Sequence, residues 1–409
     1  MTKRWYPKHP ELGEPGVMST EPFVSERQFE LERKLLWRHV WIMVGRAEQI
    51  AKPGDYFVKE IPPTNASLIV VRGRDGVIRG FHNVCPHRGS QLCFDKSGTG
   101  GSLGAFACPY HGFTFGLDGK LRFVPDEANF YNLDKEKLGL TPVVTDLWEG
   151  FIFIHLDPNP RESLRNYLGE IVNGVEGYPF HESTQCHEYT AVINCNWKLL
   201  IAAFLEGYHA QALHERSYSR MTSKENPYCH THFIKLFDKH RMFSFYANPD
   251  VQPTRLGAIA YARHEKVLQQ ANAKSGAVAS AKPTANFQKL NSTYFIRNIF
   301  PNLQLNLVRG SWFRHQFWPI SVDKVLWDVR MYYPKPPNAS EAFFQDYSRY
   351  TSRDNLSEDG NACERSHMAL AGGWIKQWVL QDEEIAIRHF NKVVADYTER
   401  LQQMDIAAE

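Results

Sequence analysis

The chain has 409 residues, with 47 Lys plus Arg against 45 Asp plus Glu and 43% hydrophobic residues. That length allows two or three domains with a sizeable core, and the balanced charge argues against nucleic acid or an anionic membrane as partner. No run of about 18 apolar residues occurs, so no transmembrane helix is expected.

In chain order, residues 1–40 read as a lead-in. Its start, MTKRWYPKHPELGEPG, has no apolar stretch behind the basic residues, so no secretory signal is expected and the location reads as cytoplasmic. SERQFELERKLLWRHVW follows as a helix, with Ser25 as its cap and Phe29, Leu31, Leu35 and Leu36 at helical spacing. Residues 41–157 carry short β-type runs such as SLIVVR (67–72) and GFIFIHL (150–156), punctuated by GRDG, GTGG and LDGK; this predicts a small all-β domain. DPNPRESL (157–164) is the linker, because proline blocks regular structure there. The remainder, 158–409, mixes helices with strands such as TYFIRNIF and VLWDVRMYY and predicts a larger α+β domain. Within it, 268–286 reads as a surface loop, with a lid over the site as the sharper reading. The glycines of GTGGSLG (98–104) fail the dinucleotide pattern, since Leu103 stands where the third glycine belongs, so no NAD or flavin is expected on this chain.

Seven cysteines in a reducing compartment do not predict disulfides. Two of them fall in FHNVCPHRGSQL and FACPYHGFTF, which place Cys85 and His87, then Cys108 and His111, as C-x-H and C-x-x-H. Zinc hairpins favour C-x-x-C. Two thiolates and two imidazoles at this spacing suit a two-iron cluster instead, with both cysteines on one iron and both histidines on the other. Such a cluster is a good one-electron relay, but a relay alone does not need the further 250 or so residues.

A second constellation lies in NWKLLIAAFLEGYHAQALH (196–214). His209 and His214 are five apart, about 140° around an ideal helix, so a local break is needed to bring both nitrogens to one ion. Glu206 shares a face with His209. Two imidazoles and one carboxylate are the ligand set of non-haem Fe(II) oxygenases.

Together the motifs resemble the Rieske non-haem iron oxygenases, and the chain is similar to their terminal oxygenase α subunits from aromatic ring-hydroxylating systems. The resemblance spans nearly the whole chain, including FPNLQLN and WPISVDK…WDVRMYYP. It implies a Rieske [2Fe–2S] cluster on Cys85, His87, Cys108 and His111, and a catalytic domain of antiparallel sheet with helices, helix-grip-like, holding one Fe(II). In the family motif, NWK leads to a carboxylate, then YH, then a second His. The carboxylate is usually Asp and is not an iron ligand; it links the iron histidine to a cluster histidine of the next subunit. Glu206 thus takes the bridge from His209 to His111 of a neighbouring protomer. Ala202 and Ala203 stand where relatives usually carry Glu-Asn, which removes polar side chains from that turn. The third ligand is a carboxylate from elsewhere: SED…CE selects Asp359, and DEEIAIRHF keeps Asp382 as the alternative, with Glu358 expected to face solvent.

The resemblance further implies electrons from a ferredoxin and/or ferredoxin reductase, O2 as co-substrate, a small hydrophobic substrate, an α3 homotrimer and room for a β subunit. The reaction is dioxygenation or monooxygenation of an aromatic or other hydrophobic compound, with O- or N-demethylation as the alternative. The rival from another class is a non-catalytic Rieske redox or ligand-binding protein.

Overall fold

The computed structural model describes residues 9, 12, 16–94, 104–215, 217, 226–246, 254–261, 292–308 and 311–408. The 268–286 segment, and 98–103 of the glycine-rich stretch, lie outside the described residues. Two compact units emerge, Arg33–Tyr167 and Met1–Glu32 with Leu168–Glu409.

The chain opens with strand β1 (Val17–Ser19) and helix α1 (Glu26–Leu31). Ser25 caps α1 by accepting the Gln28 N–H at 3.2 Å, as expected from the sequence. These residues group with the second unit, because β1 pairs antiparallel with β18 (Gln377–Val379).

The first unit is all-β apart from short helical turns. Strands β2 (Ile42–Arg46), β3 (Tyr56–Ile61), β4 (Ala66–Arg72), β5 (Ile78–His82), β9 (Pro142–Trp148) and β10 (Phe151–His155) form an antiparallel sheet in the order β2-β10-β9-β5-β4-β3. A three-stranded sheet of β6 (Ala105–Ala107), β7 (Thr114–Gly116) and β8 (Leu121–Phe123) follows the same antiparallel pattern. Ile69, Val71, Phe81, Phe106 and Phe115 make an apolar core that also takes in Cys85 and Cys108. Thiols there are held by packing before any metal chemistry is considered.

After α2 (Leu164–Leu168), the second unit is built on a seven-stranded antiparallel sheet. Its strands β11 (Gln185–Ile193), β12 (Thr231–Leu236), β13 (Arg241–Tyr246), β14 (Ser292–Ile299), β15 (Leu303–Val308), β16 (Ser311–Ser321) and β17 (Lys324–Tyr333) run in the order β11-β17-β16-β15-β14-β13-β12. The two longest strands, β16 and β17, lie together within it; β16 is buried on both faces, and Arg314, His315 and Gln316 are buried within it. The helices are α3 (Trp197–Ala203), α4 (Ala210–Leu213), α5 (255–261), α6 (Ala339–Ala371) and α7 (Ile385–Ala408). Asn338 caps the 33-residue α6 by accepting the Glu341 N–H. No helix among the described residues is long and apolar enough to cross a membrane.

The two candidate metal centres

In the first unit, two tight loops carry the four sequence-predicted cluster residues. In the first loop the Gly89 N–H returns to the Cys85 carbonyl, and in the second the Gly112 N–H returns to that of Cys108. Gly89 and Gly112 have φ of +76° and +74°, the left-handed region that favours glycine, which explains a glycine just after each histidine. Asn83, fully buried, anchors the first loop: its Oδ1 accepts the N–H groups of Leu92 and Cys93, and its Nδ2 donates to the Cys93 carbonyl. The His87 and His111 rings lie 4.7 Å apart between centroids, and Phe113 stacks on His87 at 4.6 Å. Burial raises the Cys85 thiol, while the backbone N–H groups of His87 and Arg88 favour its thiolate. Cys108 lies within hydrogen-bond reach of the same sulfur. His111 Nδ1 is buried with no hydrogen-bond partner among the described residues, an orphan that a metal would satisfy. Paired thiols, amides aimed at sulfur and an orphaned imidazole nitrogen fit a [2Fe–2S] cluster.

In the second unit, the predicted helix break is present. Asn196 caps α3 through the Lys198 N–H, and Trp197 and Lys198 are buried against Glu32: Trp197 Nε1 donates to it at 2.8 Å, and Lys198 Nζ pairs with it at 2.7 Å. The helix stops at Ala203, turns through Phe204–Tyr208, and resumes as α4 after His209. Ala202 is buried and Ala203 half-buried at the end of α3, so neither position presents a polar side chain. The break brings the two imidazoles to a ring separation of 5.1 Å, and α6 supplies the carboxylate. Asp359 Oδ1 lies 3.5 Å from His209 Nε2 and 3.1 Å from His214 Nε2. Among the described residues, His209, His214 and Asp359 form the set of His, Cys, Asp or Glu donors that converge tightly enough for one ion. Asp382 is outside that set; it is exposed and opens a short 3-10 turn whose buried member is Glu383.

The hydrogen bonds fix what this gap wants. His209 Nδ1 lies 2.5 Å from Glu206 Oε1, and His214 Nδ1 lies 2.7 Å from Glu358 Oε2. A carboxylate accepts, so each Nδ1 carries the hydrogen and each neutral ring turns an Nε2 lone pair toward Asp359. Two lone pairs and a carboxylate oxygen, which has no hydrogen-bond donor, then face one point. Only positive charge fits there. Without metal it is a proton: burial opposes the charged form of His209, but the carboxylates of Glu206 and Asp359 outweigh it and push its pKa up to about 9. With metal, the donor chemistry suits a borderline divalent ion such as Fe(II).

Glu358 does not face solvent as expected. Besides His214 it accepts from Ser217 Oγ at 2.5 Å, and it is one-third exposed. Glu358, the neighbour of Asp359 on α6, thus holds the His214 ring, a contact that exists only because α6 lies against His214 and Ser217. Glu206 similarly accepts the His209 backbone N–H at 3.1 Å, so both of its oxygens hold one residue in place.

Beside the motif helix, β16 and β17 present an aromatic group. Phe204 lies 4.9 Å from His315, 5.8 Å from Phe317 and 5.2 Å from Trp327, ring centre to ring centre. A Cβ at Gly360, next to Asp359, would sit 3.8 Å from Trp327. His315 accepts from Trp327 Nε1 at 3.2 Å, and burial, with help from Arg314, pushes its pKa down to about 3. It is therefore a neutral aromatic ring at any physiological pH.

Residues 180–400, more than half the chain, match the family model of the ring hydroxylating alpha subunit (catalytic domain), and residues 40–142 match the Rieske [2Fe–2S] domain. The carnitine monooxygenase oxygenase subunit of Escherichia coli (strain K12) is 35% identical over 193 residues, 47% of this chain and 50% of that protein. The glycine betaine monooxygenase oxygenase subunit of Chromohalobacter salexigens is 34% identical over 195 residues, 47% of this chain and 42% of that one. The aligned stretch thus spans about half the length of these curated relatives. In fold, the chain is similar to the quaternary ammonium Rieske monooxygenase CntA in complex with γ-butyrobetaine, with a TM-score of 0.71 at 19% identity over 94% of this chain and 95% of that one. It is also similar to naphthalene 1,2-dioxygenase from Rhodococcus sp., with a TM-score of 0.68 at 20% identity over 93% and 94%. A Rieske domain followed by a ring-hydroxylating α-subunit catalytic domain makes the chain a member of the Rieske non-haem iron oxygenase family.

Proposed function

We propose that the chain is the terminal oxygenase of a multicomponent system and that it monooxygenates a small quaternary ammonium compound at a carbon bonded to nitrogen. Cys85, His87, Cys108 and His111 hold the cluster; His209, His214 and Asp359 hold the mononuclear iron. When bound, the cluster passes single electrons and the iron activates dioxygen. The chain's own residues do the rest. Glu206 and Glu358 fix both imidazoles in the metal-binding tautomer. In an assembled homotrimer Glu206 also bridges His209 to His111 of the neighbouring copy, the electron route between subunits. A ferredoxin and/or ferredoxin reductase supplies the electrons.

The observation that carries the oxygenase reading, against a non-catalytic relay, is the convergence of two imidazole lone pairs and one carboxylate oxygen on a single point. The substrate class rests on the relatives. The named relatives act on carnitine and glycine betaine, which favours N-dealkylation over arene hydroxylation. In the reaction one oxygen atom of O2 converts C–H to C–OH, and the other leaves as water with two electrons and two protons. The carbinol carbon then expels the amine as its carbonyl forms.

The test is metal content with product analysis. The oxygenase holds about three iron atoms per chain and the relay about two. Reduced enzyme given carnitine, glycine betaine or choline, followed by mass spectrometry, yields a tertiary amine and a carbonyl product. A metal-replete sample that holds two irons and consumes no O2 with any reductant or substrate refutes the proposal. Turnover of an arene with none of the cations refutes the substrate class alone.

A further inference from the structure

The central strand of the second unit carries a polar stripe that the proposed roles leave unused. In FPNLQLN the amides Asn302, Gln304 and Asn306 alternate with Leu303, Leu305 and Leu307, so they share one face of β15 (Asn302 stands one residue before the strand). Three strands lie on either side of β15, so these amides are not at a sheet edge. All three are buried, none more than 2% exposed. Amides at such depth normally spend their hydrogen bonds on one another or on the backbone.

These bond little. Gln304 Nε2 donates to Asn306 Oδ1 at 3.4 Å. Asn302 Nδ2 and Oδ1, Gln304 Oε1 and Asn306 Nδ2 have no hydrogen-bond partner among the described residues. Nor has Nδ2 of the fully buried Asn298, the register partner of Gln304 on β14. The far end of that row is charged. Arg241, opposite Asn298 on β13, donates to Asn298 Oδ1 at 2.7 Å, which makes the Asn298 NH2 a stronger donor. Orphaned amide atoms gathered on one buried face suit a molecule that brings several oxygens.

The face is the one against which the mononuclear donors are assembled. Gln304 and Asn306 are the register partners of His315 and Phe313 on β16, and the Phe204 ring of the motif segment lies beside His315. Gly207, three residues further on, meets β13: a Cβ there would lie 2.5 Å from the Phe245 ring. In the order β16-β15-β14-β13 the motif turn therefore crosses β15 and β14. From the same side, Gly360, next to Asp359, approaches Trp327, another ring beside Phe204. The amide stripe is the part of the sheet beneath the turn that leads into His209.

We propose that Asn298, Asn302, Gln304 and Asn306 determine substrate specificity: their amides hold a carboxylate at the end of the substrate remote from its quaternary nitrogen. This rests on the quaternary ammonium reading above. The free NH2 groups of Asn298, Asn302 and Asn306 outnumber the free oxygens of Asn302 and Gln304, and Arg241 adds positive potential at the end of the row. That balance favours an anionic pair of oxygens over a lone hydroxyl. An apolar substrate leaves every one of these atoms unpaired, which is how a polar site rejects it.

The test uses holoenzyme carrying both metals, and iron content with the visible spectrum checks each variant. Calorimetry on the wild type compares glycine betaine with its methyl ester, which keeps the cation and removes the negative charge. The acid binds at least about tenfold more tightly, the least that hydrogen bonds to a charged group supply. Equal binding overturns the proposal, and that comparison needs no variant. Asn306→Leu and Gln304→Leu keep the volume and remove the amide. In each, kcat/KM for glycine betaine relative to choline falls about tenfold, through the KM of the acid. Asn306→Asp sets one carboxylate against another and lowers that ratio further. A ratio unmoved in both leucine variants, with both metals retained, leaves the stripe to buried water and overturns the proposal. A wild-type enzyme that binds no quaternary ammonium compound removes the substrate class and this inference with it. One that oxidises glycine betaine and choline, but binds acid and ester equally, removes only the role of the amides.

Discussion

Iron binding at His209, as proposed above, displaces a proton, and the geometry sets how strongly. In the metal-free chain the His209 pKa stands at about 9, because the carboxylates of Glu206 and Asp359 outweigh burial. An Fe(II) ion needs the Nε2 lone pair, so below pH 9 it competes with the proton there. From pH 9 down to pH 7 the cost is about 2.7 kcal/mol, at roughly 1.36 kcal/mol per pH unit, or about a hundredfold in affinity. The sign is fixed: a raised histidine pKa favours the protonated metal-free form at low pH, and affinity climbs as pH rises toward 9, then levels. Glu206→Gln removes the largest charge that holds this proton, so the slope between pH 7 and 9 flattens. Anaerobic competition against a chelator of known affinity, or calorimetry with Co(II) as a redox-stable probe, measures it. A wild-type affinity that changes less than about threefold between pH 7 and 9 refutes the reasoning.

Three further outcomes follow from the same contacts. Asp359→Asn loses the mononuclear iron while the visible spectrum of the cluster persists, and Asp382→Asn keeps both metals; iron analysis with absorption spectra distinguishes them. Glu32→Ala leaves Lys198, 1% exposed, as a buried cation without its carboxylate, which costs about 3–5 kcal/mol and lowers the melting temperature; an unchanged melting curve contradicts the pairing. Gly112→Ala forces a side chain into φ +74° with its Cβ 3.0 Å from Pro125, so the cluster becomes labile at a cost of about 1–2 kcal/mol; full cluster retention on heating contradicts that account.

The two Cys–His loops were legible because their geometry is local: each cysteine, histidine and glycine lies within five residues and closes its own turn. His209 and His214 were legible for the opposite reason, since their five-residue spacing conflicts with a continuous helix and the break resolves the conflict. What stayed hidden comes from convergence across the chain. Glu358 reads as an ordinary surface acid until α6 lies against His214. Glu383 reads as one of three acids in QDEE until the 226–230 turn covers it. Glu32 and Lys198 are some 166 residues apart, and nothing in either segment names the other. The same holds for His315, whose strand β16 shows only that polar residues are buried there, not that the Phe204 ring lies beside one of them.

The break between α3 and α4 also bears on how the protein matures. A four-residue α4 is far below the length at which a helix persists in isolation, so the His209–His214 geometry exists only once the sheet and α6 are in place. The third donor is about 145 residues further on, whereas the two cluster loops are about 20 residues apart. Loop closure alone then disfavours the mononuclear site by about 2 kcal/mol relative to the cluster site. By chain entropy, the four Cys and His residues of the first unit are therefore brought together at lower cost than the three donors of the second.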